Sequence, residues 1–175
     1  SRRSVLLGLA SATAATQLPH LALAKLDSDY FELTAGPSKQ SLYRPDGAES
    51  DLWTYNGFAP GPEIRVTKNN RVRVKFFNNL EEPTSVHWHG IRIDNAMDGV
   101  SGLTQEPVQP GETFVYDFVA PDAGTYWYHA HNKSWNQVAR GLYGPRIIAE
   151  DVPLFDTIHD SPLMFDDWRL AGAGT

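Results

Sequence analysis

Polar and apolar residues alternate from position 63 to position 80. Ile64, Val66, Val72, Val74 and Phe76 alternate with Arg65, Arg71, Arg73 and Lys75, and Asn69-Asn70 separates the two runs. A period of two puts apolar groups on one face and charges on the other, so each run reads as a half-buried strand and the Asn pair as a turn. Residues 86–93, 113–119, 125–129 and 142–149 read as further strands, with 31–34 and 52–55 as weaker ones. Pro145 near the start of the 142–149 run points to an edge strand or a bulge, because proline has no N–H to give to a ladder. Pro60-Gly61-Pro62, Pro110-Gly111 and Asp122-Ala123-Gly124 punctuate the runs as turns. Seven or eight short strands with regular punctuation predict an all-β sandwich or Greek-key barrel. No repeat of solenoid period and no long amphipathic helix is visible. The domain is expected to end near Glu150-Asp151, followed by a linker.

The first 24 residues break this pattern. Ser1-Arg2-Arg3-Ser4 precedes an apolar stretch from Val5 to Ala15, then Gln17-Leu18-Pro19-His20 and Ala22-Leu23-Ala24. Charged, apolar and small-residue segments in that order read as an export signal, with cleavage expected after Ala24. The paired arginines resemble a bacterial twin-arginine signal. A membrane anchor is the competing reading, but spanning needs about 20 apolar residues and Gln17, Pro19 and His20 interrupt the run.

Composition narrows the function classes. The 175 residues are 41% hydrophobic and 21% charged, enough apolar surface for a packed core. A formal charge of −6 argues against nucleic-acid binding and against a polybasic membrane anchor. The absence of cysteine excludes disulfides, thiol catalysis and cysteine-based zinc or iron–sulfur sites within these residues. The sequence opens without Met and stops soon after the apolar 163–170 run, so it reads as a piece of a longer chain.

The candidate chemistry lies in the histidines. Four of the six form two His-x-His pairs, His87-Trp88-His89 and His129-Ala130-His131. Residues i and i+2 of a strand project from one face, so each pair aims two imidazoles at one site. Imidazole suits copper, zinc, iron or nickel, and two rigid pairs fit one ion or two adjacent ones. His20, in the export segment, and His159, in the linker, read as incidental. Trp88, Trp127 and Tyr128 read as aromatics packed around the ligand strands.

Taken together, Val86-His87-Trp88-His89-Gly90, Met97-Asp98-Gly99, Thr104-Gln105, Pro110-Gly111-Glu112 and Gly124-Thr125-Tyr126-Trp127-Tyr128-His129-Ala130-His131 resemble the first cupredoxin domain of multicopper oxidases in order and spacing. The resemblance covers residues 52–148. It implies a cupredoxin-like Greek-key fold over 25–151, a linker at 152–162, and at 163–175 the start of a second cupredoxin domain, signalled by Asp166-Asp167-Trp168. The family includes laccases, cuprous oxidases and ascorbate oxidases. It implies a trinuclear copper cluster shared with a C-terminal cupredoxin domain. His87 would bind the lone type 2 copper. His89 and His129 would share one copper of the type 3 pair, and His131 would bind the other. Asp98 matches the acidic residue that helps deliver protons to oxygen, although an Asp before Gly99 is also common in plain turns. The implied reaction couples oxidation of a phenol, an amine or a metal ion to four-electron reduction of O2, outside the cytoplasm.

The type 1 copper of that family needs a Cys thiolate. None is present, and the resemblance places that site in the C-terminal part. Met97 and Met164 read as packing residues. A non-enzymatic exported cupredoxin-like scaffold and a copper-binding or storage domain are the competing readings. Copper nitrite reductases fit less well, since their first domain is expected to carry the type 1 Cys.

Overall fold

The computed structural model describes residues 30–43, 47–155 and 160–170. The export segment 1–24, His20 and His159 lie outside the described residues. Eight strands form there: β1 (Phe31–Gln40), β2 (Ser50–Tyr55), β3 (Ile64–Thr67), β4 (Arg71–Asn78), β5 (Val86–His89), β6 (Thr113–Val119), β7 (Gly124–Ala130) and β8 (Tyr143–Ala149). They build two four-stranded sheets, ordered β2-β1-β4-β6 and β3-β8-β7-β5. In the first sheet β1 runs parallel to β4 and the other pairs are antiparallel; in the second, β3 runs parallel to β8. The all-β expectation is met. Among the described residues helix is confined to one short turn, α1 (Ser134–Gln137), and two 3-10 turns at Asn95–Met97 and Val138–Arg140. Among the described residues no helix is long and apolar enough to cross a membrane.

Alternation explains which face closes the core. Val72, Val74 and Phe76 of β4 are buried, as are Tyr116 and Phe118 of β6, while Arg71 and Lys75 face outward. From the other sheet, Val86 and Trp88 of β5 and Tyr128 and Ala130 of β7 meet them. Trp88 packs at 5.3 Å, ring centre to ring centre, on both Tyr116 and Phe118. Each such side chain contributes about 1.5–3 kcal/mol through removal from water. Because Trp88 and Tyr128 point into the core, the residues beside them, His87, His89, Trp127 and His129, point the other way.

Two sequence expectations need correction. The strand expected over 86–93 stops at His89, because Gly90 turns the chain with φ +84°. Pro145 points to an edge strand or a bulge, yet β8 lies inside its sheet between β3 and β7 and its register with β7 runs unbroken through Pro145. The proline is tolerated because β3 joins the ladder only from Arg146 onward, leaving the flank open at Pro145. Beyond β8, residues 160–170 form no strand; the Tyr143 hydroxyl donates to Asp166 Oδ2 at 2.7 Å and Arg65 reaches Asp160 at 3.3 Å.

Candidate metal centre

The two His-x-His pairs sit on adjacent antiparallel strands. His87 lies directly opposite His129, and His89 opposite Trp127. His131 follows the end of β7, where its backbone N–H donates to the Ser85 carbonyl at 3.2 Å. The register therefore gathers four imidazoles into one concavity, lined also by Trp127, Ser134 and Val138. His87 is central: its ring centre lies 5.6 Å from His89, 5.2 Å from His129 and 5.1 Å from His131. His129 and His131 stack at 5.9 Å. The ligand nitrogens of His87, His89 and His129 lie within 4.8 Å of one another.

Hydrogen bonds decide which nitrogen of each ring is free. The Nδ1–H of His129 donates to the Ala130 carbonyl at 2.9 Å, and that of His87 to the Asp98 carbonyl at 2.7 Å. A carbonyl only accepts, so both Nδ1 atoms carry the proton and both Nε2 lone pairs face the concavity. His89 is turned the other way, with its Nδ1 3.3 Å from His129 Nε2. Since His129 Nε2 carries a lone pair, His89 Nδ1–H can donate to it, and a shared cation would take the place of that proton. Burial holds the His129 imidazole down at about 4, against the Ala130 hydrogen bond, and the three neighbouring imidazoles add to the lowering. His129 is therefore neutral near pH 7, the form in which imidazole binds a metal.

Asp98 lies beside His87, with Oδ1 3.4 Å from Nδ1. Its carbonyl thus orients the imidazole, and its carboxylate lies beside the same ring nitrogen. Sequence reasoning treated Trp127 as packing alone, but the indole lies 4.2 Å from the His129 ring and 5.1 Å from His89, and it forms a wall of the site. Its position two residues before His129, on the same face of the strand, was the available signal. Ser134 and Val138 carried no signal, since they reach the site only through α1 and the following turn.

A β-sandwich that gathers four imidazoles from neighbouring strands has the donor set of a histidine-based transition-metal site. Over residues 38–152 the chain matches the family described as multicopper oxidase. It belongs to that family. Copper resistance protein A of Escherichia coli is 37% identical over 163 residues, covering 93% of this chain and 26% of the relative. Laccase-1 of Cryptococcus neoformans is 38% identical, covering 81% of this chain and 25% of the relative. Among solved structures, Lac15 from a marine microbial metagenome is 48% identical with a TM-score of 0.68, over 71% of this chain and 33% of that one. The multi-copper oxidase of Pseudomonas thermotolerans is 47% identical with a TM-score of 0.67, over 70% and 30%. The chain thus spans about a quarter of the length of these curated relatives.

Proposed function

We propose that this chain is the N-terminal part of an exported copper oxidase and supplies half of its oxygen-reducing cluster. The observation that carries the reading is the convergence of His89 Nδ1 and His129 Nε2 at 3.3 Å, with His87 and His131 ringed around them. His89 and His129 hold one copper of the type 3 pair, His131 holds the other, and His87 holds the type 2 copper. The donor set fits: neutral imidazoles bind both Cu(I) and Cu(II), and carbonyl partners fix the orientation of His87 and His129. Copper supplies the electron storage that four-electron reduction of O2 requires. The chain's own residues orient the ligands, wall the site with Trp127 and place the Asp98 carboxylate where protons enter. The reductant is a phenol, an amine or a metal ion. A C-terminal cupredoxin domain completes the ligand set and carries the type 1 copper.

The same reading assigns 1–24 to a twin-arginine export signal, 25–151 to the first cupredoxin domain, 152–162 to a linker and 163–175 to the start of the second domain. Export places the enzyme in the periplasm. The relatives named copper resistance protein A support a role close to copper handling.

His129→Ala in the full oxidase tests the assignment. Oxygen uptake is expected to fall at least a hundredfold, while the blue absorption of the type 1 copper persists. Undiminished oxygen uptake would remove the cluster assignment.

A further inference from the structure

We propose that Ser85 and Met97 are positioning residues that fix His87 for metal binding by pinning the loop of residues 94–101 against the sheets. The inference rests on His87 as a copper ligand and extends that reading to residues that touch no metal. The His87 imidazole is oriented by the carbonyl of Asp98 at 2.7 Å. That carbonyl belongs to a loop, so its position is only as good as the contacts that hold the loop.

One anchor stands on each side of Asp98. Ser85, fully buried, donates its hydroxyl to the Gly99 carbonyl at 2.6 Å and accepts from the Ser101 hydroxyl at 2.8 Å. Since its one proton goes to Gly99, the second bond must come from Ser101. On the other side, Met97 Sδ accepts the Asp117 backbone N–H at 3.3 Å. Asp117 lies on β6, the edge strand of its sheet, so this N–H points away from the ladder and the thioether covers it. Asp94 adds a local cap, accepting from Ala96 N–H at 3.0 Å.

The fit between loop and strand leaves no slack. Gly99 has φ +78°, and a Cβ there would lie 1.8 Å from the Val86 carbonyl oxygen and 3.0 Å from His87 N. The loop is thus pressed on the ligand strand closer than any side chain permits. Ser85 and Met97 act from opposite directions on this stretch, one from the start of β5 and one from the edge of β6. Loss of either lets the Asp98 carbonyl withdraw, and a ligand then needs to be held within about 0.5 Å by fewer partners.

The test uses the full oxidase with Ser85→Ala, Met97→Ala and, as reference, His87→Ala. Copper per chain, the type 2 electron paramagnetic resonance signal, the type 3 absorption and Tm are read together. His87→Ala is expected to abolish the type 2 signal. Ser85→Ala and Met97→Ala are each expected to weaken type 2 copper binding by about 10–100-fold, with the type 3 absorption retained. A merely structural role would instead lower Tm and deplete all coppers alike, and that result overturns the proposal. Unchanged type 2 affinity in either variant overturns the assignment of that residue. If His87→Ala keeps the type 2 signal, the copper reading of His87 fails and takes this inference with it.

Discussion

Tyr116 stands on β6, in the sheet opposite the histidines, yet its hydroxyl accepts the Val86 N–H at 2.8 Å across the core. Val86 precedes His87, so the bond fixes the start of the ligand strand. Both residues are fully buried, and burial pushes the Tyr116 phenol far above its ordinary range, which keeps it a neutral hydroxyl. Tyr116→Phe leaves a buried backbone N–H without its acceptor. A loss of about 1–3 kcal/mol is expected, read as a lower Tm or a lower denaturant midpoint at unchanged slope. Equal stability would mean that another group takes over the N–H. The alternation over 113–119 is enough to place Tyr116 inside. It says nothing of a partner thirty positions away, because a cross-core hydrogen bond leaves no periodic trace.

Strands were the most legible level. The His-x-His spacing put His87 and His89 on one face of β5 and aimed His129 of β7 the same way as His131 just past its end, before their register was known. Less legible was where β5 stops, because Gly90 could equally have been a bulge within a longer strand. Least legible was Arg146. It occupies a core-facing position of β8, fully buried, over the rings of Phe118 at 4.7 Å and Trp88 at 5.1 Å. Among the described residues its three guanidinium nitrogens have no hydrogen-bond partner. Burial holds its pKa down at about 10. A base whose pKa is lower in the folded state binds fewer protons there, so its charge opposes folding fully below pH 10. The penalty is relieved as pH rises from 10 toward the unfolded value. Cation–π attraction, about 2 kcal/mol when desolvated, offsets part of a penalty of several kcal/mol. Arg146→Met is therefore expected to stabilise the fold by about 1–4 kcal/mol at pH 7, with the gain shrinking above pH 10. A lower Tm at pH 7 in the variant would show that the stacked guanidinium is a net stabiliser.

The whole chain carries a net charge of −6, while the site gathers four imidazoles whose own carboxylate neighbour is Asp98. Without a metal, His89 Nδ1–H can donate to His129 Nε2 at 3.3 Å, so a cation held by both nitrogens replaces one hydrogen bond. Such a cation binds only the folded state, where these nitrogens are held together, so metal and fold are linked by mass action. At free copper a hundredfold above its dissociation constant the linkage contributes about 2.7 kcal/mol. Removing copper from the full oxidase with a chelator is expected to lower Tm, and returning cupric ion to restore it. The difference should narrow in His129→Ala, which takes away one of the two converging donors. An unchanged Tm on chelation in the parent protein would mean that the ligand geometry is held by packing alone. Restoration in the parent but not in the variant would place the linkage at this pair of strands, rather than at copper bound elsewhere in the chain.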